Sequence, residues 1–183
     1  MNTSRSIYNP FQKDSAEFIK TVNETKGAYT LVRVVVAPGG GNGLHYHKSF
    51  AETFECISGQ LKVQVGKTIR TLLPGEEATA HPMQLHRFFN DTDEPCSFFV
   101  TISPGCKGFE EGLQIAYGLA TDGRINSKGT PKKLSHLGLL LLLTESKLPG
   151  WQGIIEKGFL MMGRRAIKNG TADALRKQYV TIE

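Results

Sequence analysis

Three imidazoles and one carboxylate fall at spacings that let a single metal ion collect them. His45 and His47 are two residues apart, so on a strand they project from the same side. Glu52 lies five residues beyond His47, the wrong parity for that strand. The segment 48–51 (KSFA) must therefore turn the chain, and Glu52 opens the next strand. His86 arrives after the intervening hairpins, behind the turn-like stretch 81–85 (HPMQL). Neutral imidazole suits Fe, Ni, Cu and Zn, and a carboxylate broadens the set toward Mn. The expected cofactor is one divalent transition metal (Fe, Mn, Ni or Zn). Four protein ligands on a six-coordinate ion leave two positions open for water, oxygen or a substrate.

These residues sit in two recognisable runs. The stretch Gly39-x5-His45-x-His47-x4-Glu52-x6-Gly59 resembles the first motif of the cupin family without a gap, and Pro74-Gly75-Glu76 with 86–90 (HRFFN) resembles the second. The resemblance implies a double-stranded β-helix, a jelly-roll barrel, with the metal inside its mouth. His45, His47, Glu52 and His86 match the family's four ligand positions. The chain departs from the pattern between the two ends of the second motif. His81 stands where relatives commonly show a proline, with Pro82 one place late, and Met83 stands where they commonly show a glycine.

The elements that must position these groups are short strands. Between residues 16 and 103, brief apolar runs alternate with turn residues, which reads as all-β. Strands are expected at residues 16–21, 28–37, 53–57, 61–65, 68–73, 78–80, 87–90 and 96–102. Runs of this kind argue for a sandwich or a barrel and do not choose between them. After Ser103-Pro104-Gly105 the periodicity becomes helical. Phe109, Leu113, Ala116, Tyr117 and Ala120 share one face of a first helix over 109–120. A second helix is expected from Thr130 as N-cap, with Pro131 at its first position, to about residue 147. A third spans roughly 149–168 and closes at Asn169-Gly170, with Arg164, Arg165 and Lys168 complementing its dipole. The expected division is a cupin β-barrel over residues 1–105 and an α-helical extension over 106–183.

Composition narrows the function. At 183 residues, 39% hydrophobic and 21% charged, the chain has material for a core. Ten Lys and Arg balance ten Asp and Glu in residues 1–105, while residues 106–183 carry twelve against seven, so the net charge of +5 resides in the extension. No zinc-finger spacing and no interleaved basic-aromatic stretch accompanies it, which argues against nucleic acid. Three cysteines without metal-type spacing argue against a disulfide framework, and the first residues lack the apolar segment of a signal peptide. Cytoplasmic is the default reading. The apolar block 137–143 is too short to cross a bilayer. However, Leu134, Leu137, Leu141 and Leu148 recur at helical spacing, and Leu139, Leu140, Leu142 and Leu143 add a second apolar face. Trp151, Ile154, Ile155, Phe159 and Met162 do the same in the third helix. The barrel can cover one face; a second subunit is expected on the other, giving a homodimer. Peripheral contact with an anionic membrane through Arg164, Arg165 and Lys168 ranks behind it.

Around the ligands, Phe54 and Cys56 share the parity of Glu52, and Phe88 and Asn90 that of His86. All four are expected to line a largely apolar pocket for a small molecule. Glu55, at an odd offset from Glu52, should point away from the metal. His81 is placed on the rim, His136 in helix packing, and Arg33 in solvent. Three functions fit: a metal-dependent enzyme on a small molecule, of dioxygenase or isomerase type; a ligand-binding module without turnover; and an assembly or membrane-surface protein working through its helices.

Overall fold

The computed structural model describes residues 5–147 and 152–182, and of residues 152–155 it describes the backbone alone. β-branched and aromatic runs become strands close to the expected places. Two elements at the start, β1 (Ser6–Asn9) and β2 (Asp14–Lys20), form a hairpin. They are followed by β3 (Thr30–Val36), β4 (Tyr46–His47), β5 (Ala51–Ser58), β6 (Leu61–Val65), β7 (Thr68–Leu72), β8 (Glu77–Ala80), β9 (His86–Phe89) and β10 (Cys96–Ser103). One sheet runs β1-β2-β3-β10-β5-β8 and a second runs β7-β6-β9. All their pairings are antiparallel. The two sheets enclose one apolar core as a double-stranded β-helix.

Alternation along each strand decides what faces that core. In β3, Thr30, Val32, Val34 and Val36 are buried while Arg33 and Val35 face outward. Phe18, Phe54, Phe98, Leu61, Leu72 and Ile102 are fully buried between the sheets. Each such side chain stabilises the fold by roughly 1.5–3 kcal/mol relative to exposure. The glycines that bracket the first motif have a backbone reason. Gly39 has φ +70° and Gly59 φ +75°, a region that L side chains enter at a cost. Met83, at the place where a glycine is usual, also adopts the left-handed region, with φ +68°.

Four helices follow among the described residues: α1 (Lys107–Thr121), α2 (Leu134–Leu143), α3 (Gln152–Lys168) and α4 (Thr171–Tyr179). Cys106 caps α1 through its sulfur. One side of α1 sends Phe109 and Tyr117 into the barrel core. The other side sends Ile115 and Leu119 into a second core with Leu139, Ala172 and Leu175. Polar bonds fasten α1 to the barrel: the buried Glu110 carboxylate accepts from Thr30 Oγ1 and from the Val22 amide, each at 2.6 Å.

Three expectations about the helices need correction. First, α2 does not start at Thr130. Asn126 Oδ1 accepts from the Lys128 and Thr130 amides, and Ile125 bridges to Pro131. This side-chain-closed turn wins over the N-cap that Thr130-Pro131 could have made. Second, α4 was not foreseen, since Asn169-Gly170 ends α3 and the chain re-enters a helix at once. Third, much of the apolar surface of α2 is covered by the chain itself. Leu139 and Leu141 are buried, Leu137, Leu140, Leu142 and Leu143 are half-buried, and Leu134 is exposed. Where α2 crosses α3, Gly138 lies so close that a Cβ there would collide with the Phe159 carbonyl oxygen. Leu148 and Trp151, and the side chains of Ile154 and Ile155, lie outside the described residues. No helix among those residues is long and apolar enough to cross a membrane.

Candidate metal centre

His45 and His86 lie directly opposite each other on neighbouring chain segments. The His45 amide donates to the His86 carbonyl at 3.0 Å and the His86 amide to the His45 carbonyl at 2.7 Å. Residues paired in this way present their side chains on one face. His47 follows two places later in β4, on the same side. Residues 48–50 turn the chain, leaving Lys48 and Ser49 exposed while Phe50 is buried. The Phe50 ring stacks on the His47 imidazole, with centroids 4.4 Å apart. Glu52 then enters β5 facing inward, and Glu55 faces solvent, as parity requires.

The result is a tight cluster. Nε2 of His45 lies 3.1 Å from Nε2 of His47. Glu52 Oε1 lies 3.4 Å from His47 Nε2, and its Oε2 lies 3.1 Å from His86 Nε2. One donor atom from each of the four residues lies within 4.8 Å of every other. Donors about 2.0–2.2 Å from one ion and at right angles around it stand roughly 3 Å apart. The observed neighbour separations match that spacing.

The outward-facing nitrogens settle which atoms are available. His45 Nδ1 faces the Gly43 carbonyl at 2.7 Å, His47 Nδ1 the Thr144 carbonyl at 2.8 Å, and His86 Nδ1 the Gln84 carbonyl at 2.8 Å. A carbonyl has no proton to give, so each Nδ1 carries one and donates it. In the neutral rings every Nε2 is therefore a lone pair, and three lone pairs and a carboxylate converge on one point. Such a set repels itself unless a cation lies among it, so the residues present fit a metal ion.

Charge is shared unevenly within the cluster. Burial, with the neighbouring charges of His86 and His47, lowers the His45 pKa to about 4, which keeps that ring neutral. Burial opposes the charge on Glu52, yet the charges and hydrogen bonds of His47 and His86 hold its carboxyl well below the usual range. For His86 burial pulls downward, but the bond and charge of Glu52 and the Gln84 carbonyl outweigh it, and its pKa is raised.

The cluster opens on a cavity of about 280 Å³. Its wall is mainly apolar, with Val32, Val34, Phe54, Phe88, Val100 and Ile102 from the barrel and Phe109 and Leu113 from α1. Gln12, Asn42, Tyr117, Thr144 and Ser146 supply polar groups, and no lysine or arginine among the described residues lines it. Two of the four expected pocket residues are there, Phe54 and Phe88. Cys56 and Asn90 are not. Cys56 is buried farther along the barrel, its thiol near the Ser58 and Gly59 carbonyls. Asn90 is spent on a turn, donating to the Val36 and Glu94 carbonyls and accepting from Thr92. His81 is exposed and does not line the cavity, and His136 is buried on α2. The wall residues Tyr117, Thr144 and Ser146 were not foreseen as site residues. The only signal was the helical face that contains Phe109, Leu113 and Tyr117.

Residues 32–102 match the family model described as a cupin domain. The barrel is a cupin domain. Searches of solved structures find similar barrels in several bacteria. A double-stranded β-helix protein of Klebsiella pneumoniae is 24% identical, with 51% of this chain and 78% of that one covered and a TM-score of 0.45. A cupin-2 domain protein of Rhodospirillum rubrum is 20% identical over 56% of this chain and 71% of that one, with a TM-score of 0.49. A structure described as a sugar phosphate isomerase from a cupin superfamily, from Silicibacter pomeroyi, is 20% identical over 56% and 72%, with a TM-score of 0.48. Likenesses at this level carry no activity with them. No curated protein matches the chain. The cupin match stops at residue 102, so α1 and the residues around Thr144 that complete the cavity lie beyond it.

Proposed function

We propose that this cupin-domain protein is a metal-dependent enzyme acting on a small, largely apolar molecule through His45, His47, Glu52 and His86. The observation that carries the reading is the convergence of three imidazole nitrogens and one carboxylate on a mainly apolar cavity. A bound divalent transition metal supplies Lewis acidity and, if it is iron, access to oxygen chemistry. The chain's own residues do the rest. The carbonyls of Gly43, Thr144 and Gln84 hold the three rings in one tautomer. The phenylalanines and aliphatic residues exclude water and orient an apolar body.

The wall also bears on the choice between reaction types. Beyond the four ligands, the acid–base group among the lining residues is Tyr117, whose hydroxyl is hydrogen-bonded to Asp14 and whose pKa burial pushes upward. Moving a proton between carbon atoms calls for a base near neutral pKa. The lack of another candidate on the wall supports the dioxygenase type over the isomerase type. The lack of a cationic side chain among the described lining residues argues against a phosphorylated substrate. Cytoplasmic location goes with the three free thiols, Cys56, Cys96 and Cys106. A homodimer remains the proposed assembly, through the exposed Leu134, Met161, Met162 and Ile167.

The test is elemental analysis of protein purified without added metal, followed by oxygen-uptake and isomerisation screens on small hydroxylated and keto compounds. About one transition-metal ion per chain is expected. His47→Ala should lose that metal and any turnover while the far-ultraviolet dichroism is kept. Turnover that survives complete metal removal would refute the reading, and metal without turnover would leave a binding module.

A further inference from the structure

The cavity is closed by residues that the cupin domain does not contain. At the end of α2, Thr144 to Ser146 cross the mouth of the barrel and continue as a short strand, β11 (Ser146–Lys147), paired antiparallel with β4 so that Ser146 stands opposite His47. The crossing is fastened from several sides. Gly112 of α1 packs so tightly on Thr144 that a Cβ there would meet the threonine methyl. Ser49 Oγ donates to Glu145 Oε2 at 2.5 Å. Glu145 itself has φ +51°, a conformation that a surrounding structure must hold in place.

The hydrogen-bond order along this strap can be deduced. Thr144 Oγ1 donates its one proton to the Leu140 carbonyl at 2.8 Å. In the 2.7 Å contact between Thr144 Oγ1 and Ser146 Oγ, the serine must then be the donor. That contact uses the serine's only proton and leaves its lone pairs. His47 Nδ1 is already bonded to the Thr144 carbonyl at 2.8 Å and stands 3.4 Å from Ser146 Oγ, so it makes little claim on them. Ser146 lines the cavity beside His45, His47 and Glu52. It is a hydrogen-bond acceptor on the wall of the cavity onto which the cluster opens.

We propose that Ser146, set as an acceptor by Thr144, is a specificity-determining residue that selects small apolar molecules carrying an O–H or N–H donor beside a metal-binding oxygen. α-Hydroxy acids, α-hydroxyketones and catechols belong to this class. Their methyl ethers and phosphate esters do not. The inference rests on the metal-site reading above and adds the chemistry of the ligand.

The experiment uses the full chain loaded with Co(II), whose visible ligand-field bands report ligand exchange at the metal. It compares mandelate with its O-methyl ether, which has the same carboxylate and phenyl group but no donor hydroxyl. The expected result is that Ser146→Ala takes up cobalt with the wild-type bands but binds mandelate about 3–10-fold more weakly, the usual effect of one hydrogen bond. The ether should bind wild type and variant alike. Thr144→Val should reproduce the loss, because Ser146 is no longer oriented, and Thr144→Ser should retain wild-type preference. An unchanged mandelate-to-ether ratio in Ser146→Ala overturns the role of Ser146 alone. Cobalt-loaded wild type that binds neither acid overturns the ligand class. Wild type that takes up no cobalt overturns the metal reading and this inference with it.

Discussion

A buried acid at the junction of barrel and α1 should make this protein less stable as pH rises. Asp14 is 1% exposed, with Asn9 and Val36 as its backbone neighbours on either side. Its Oδ2 accepts from Tyr117 Oη at 2.9 Å, and its Oδ1 is buried with no hydrogen-bond partner among the described residues. Burial raises the Asp14 pKa from 3.8 to about 7, with the bonds from Tyr117 and the Asp14 amide pulling partly back. The folded state therefore holds a proton that the unfolded chain releases near pH 4. Between those values the native state binds more protons, so unfolding free energy falls as pH rises. Stability from this group is fully present below about pH 4 and is lost up to about pH 7. A separation of about three units corresponds to roughly 4 kcal/mol in total, about 2–3 kcal/mol of it between pH 5 and pH 8. Asp14→Asn keeps an acceptor for Tyr117 and cannot ionise. Urea unfolding of metal-free wild type and variant, followed by far-ultraviolet dichroism, isolates the term because other groups cancel in the difference. The two proteins should be nearly equal below about pH 4, and the variant's advantage should grow by about 2–3 kcal/mol between pH 5 and pH 8. Parallel curves across that range would show that Asp14 is ionised in the fold, and the argument would fail.

Gly138→Ala should destabilise by at least about 3 kcal/mol, the range of severe overpacking, because the added carbon meets backbone of α3 that cannot rotate aside. A melting temperature within a degree or two of wild type would show that the two helices separate easily. Sedimentation equilibrium tests the proposed homodimer. Two copies should be seen, and charged substitutions at Met161 and Ile167, both exposed, should dissociate them without unfolding. A monomer at high micromolar concentration would remove the assembly from consideration.

The convergence of the four candidate ligands was legible because strand parity fixes which side of a sheet a residue faces, and the turn at 48–51 could be placed by the parity break it had to absorb. Parity does not fix depth. At roughly 3.3 Å per residue, Cys56 is about 13 Å beyond Glu52 along β5, and Asn90 is as far beyond His86. Both are buried, as expected, but past the end of the cavity, while Phe54 and Phe88 at half that distance line it. The helical part failed for a different reason. Nothing near Thr144 or Ser146 in sequence hints at a metal site, since their partner, His47, is 97 and 99 residues away. The end of α2 was placed at about 147, where Glu145 in fact takes a left-handed conformation and sends the chain back to β4. Only the contact with the barrel rewards that conformation.

The bond between His47 and the Thr144 carbonyl has a temporal side. Chains are made at about 5–20 residues per second, so the 97 residues between these partners take roughly 5–20 s to appear. The segments that carry all four candidate ligands end with His86–Phe89, well before the strap is available. During that interval His45 and His86 already have their carbonyl partners two residues away, but His47 does not. A nascent barrel thus carries one imidazole of the cluster still free to turn. The arrival of Thr144 then locks the ring and narrows the mouth. The chain length between the two halves of the site acts as a delay between forming the four-residue cluster and fixing the His47 ring.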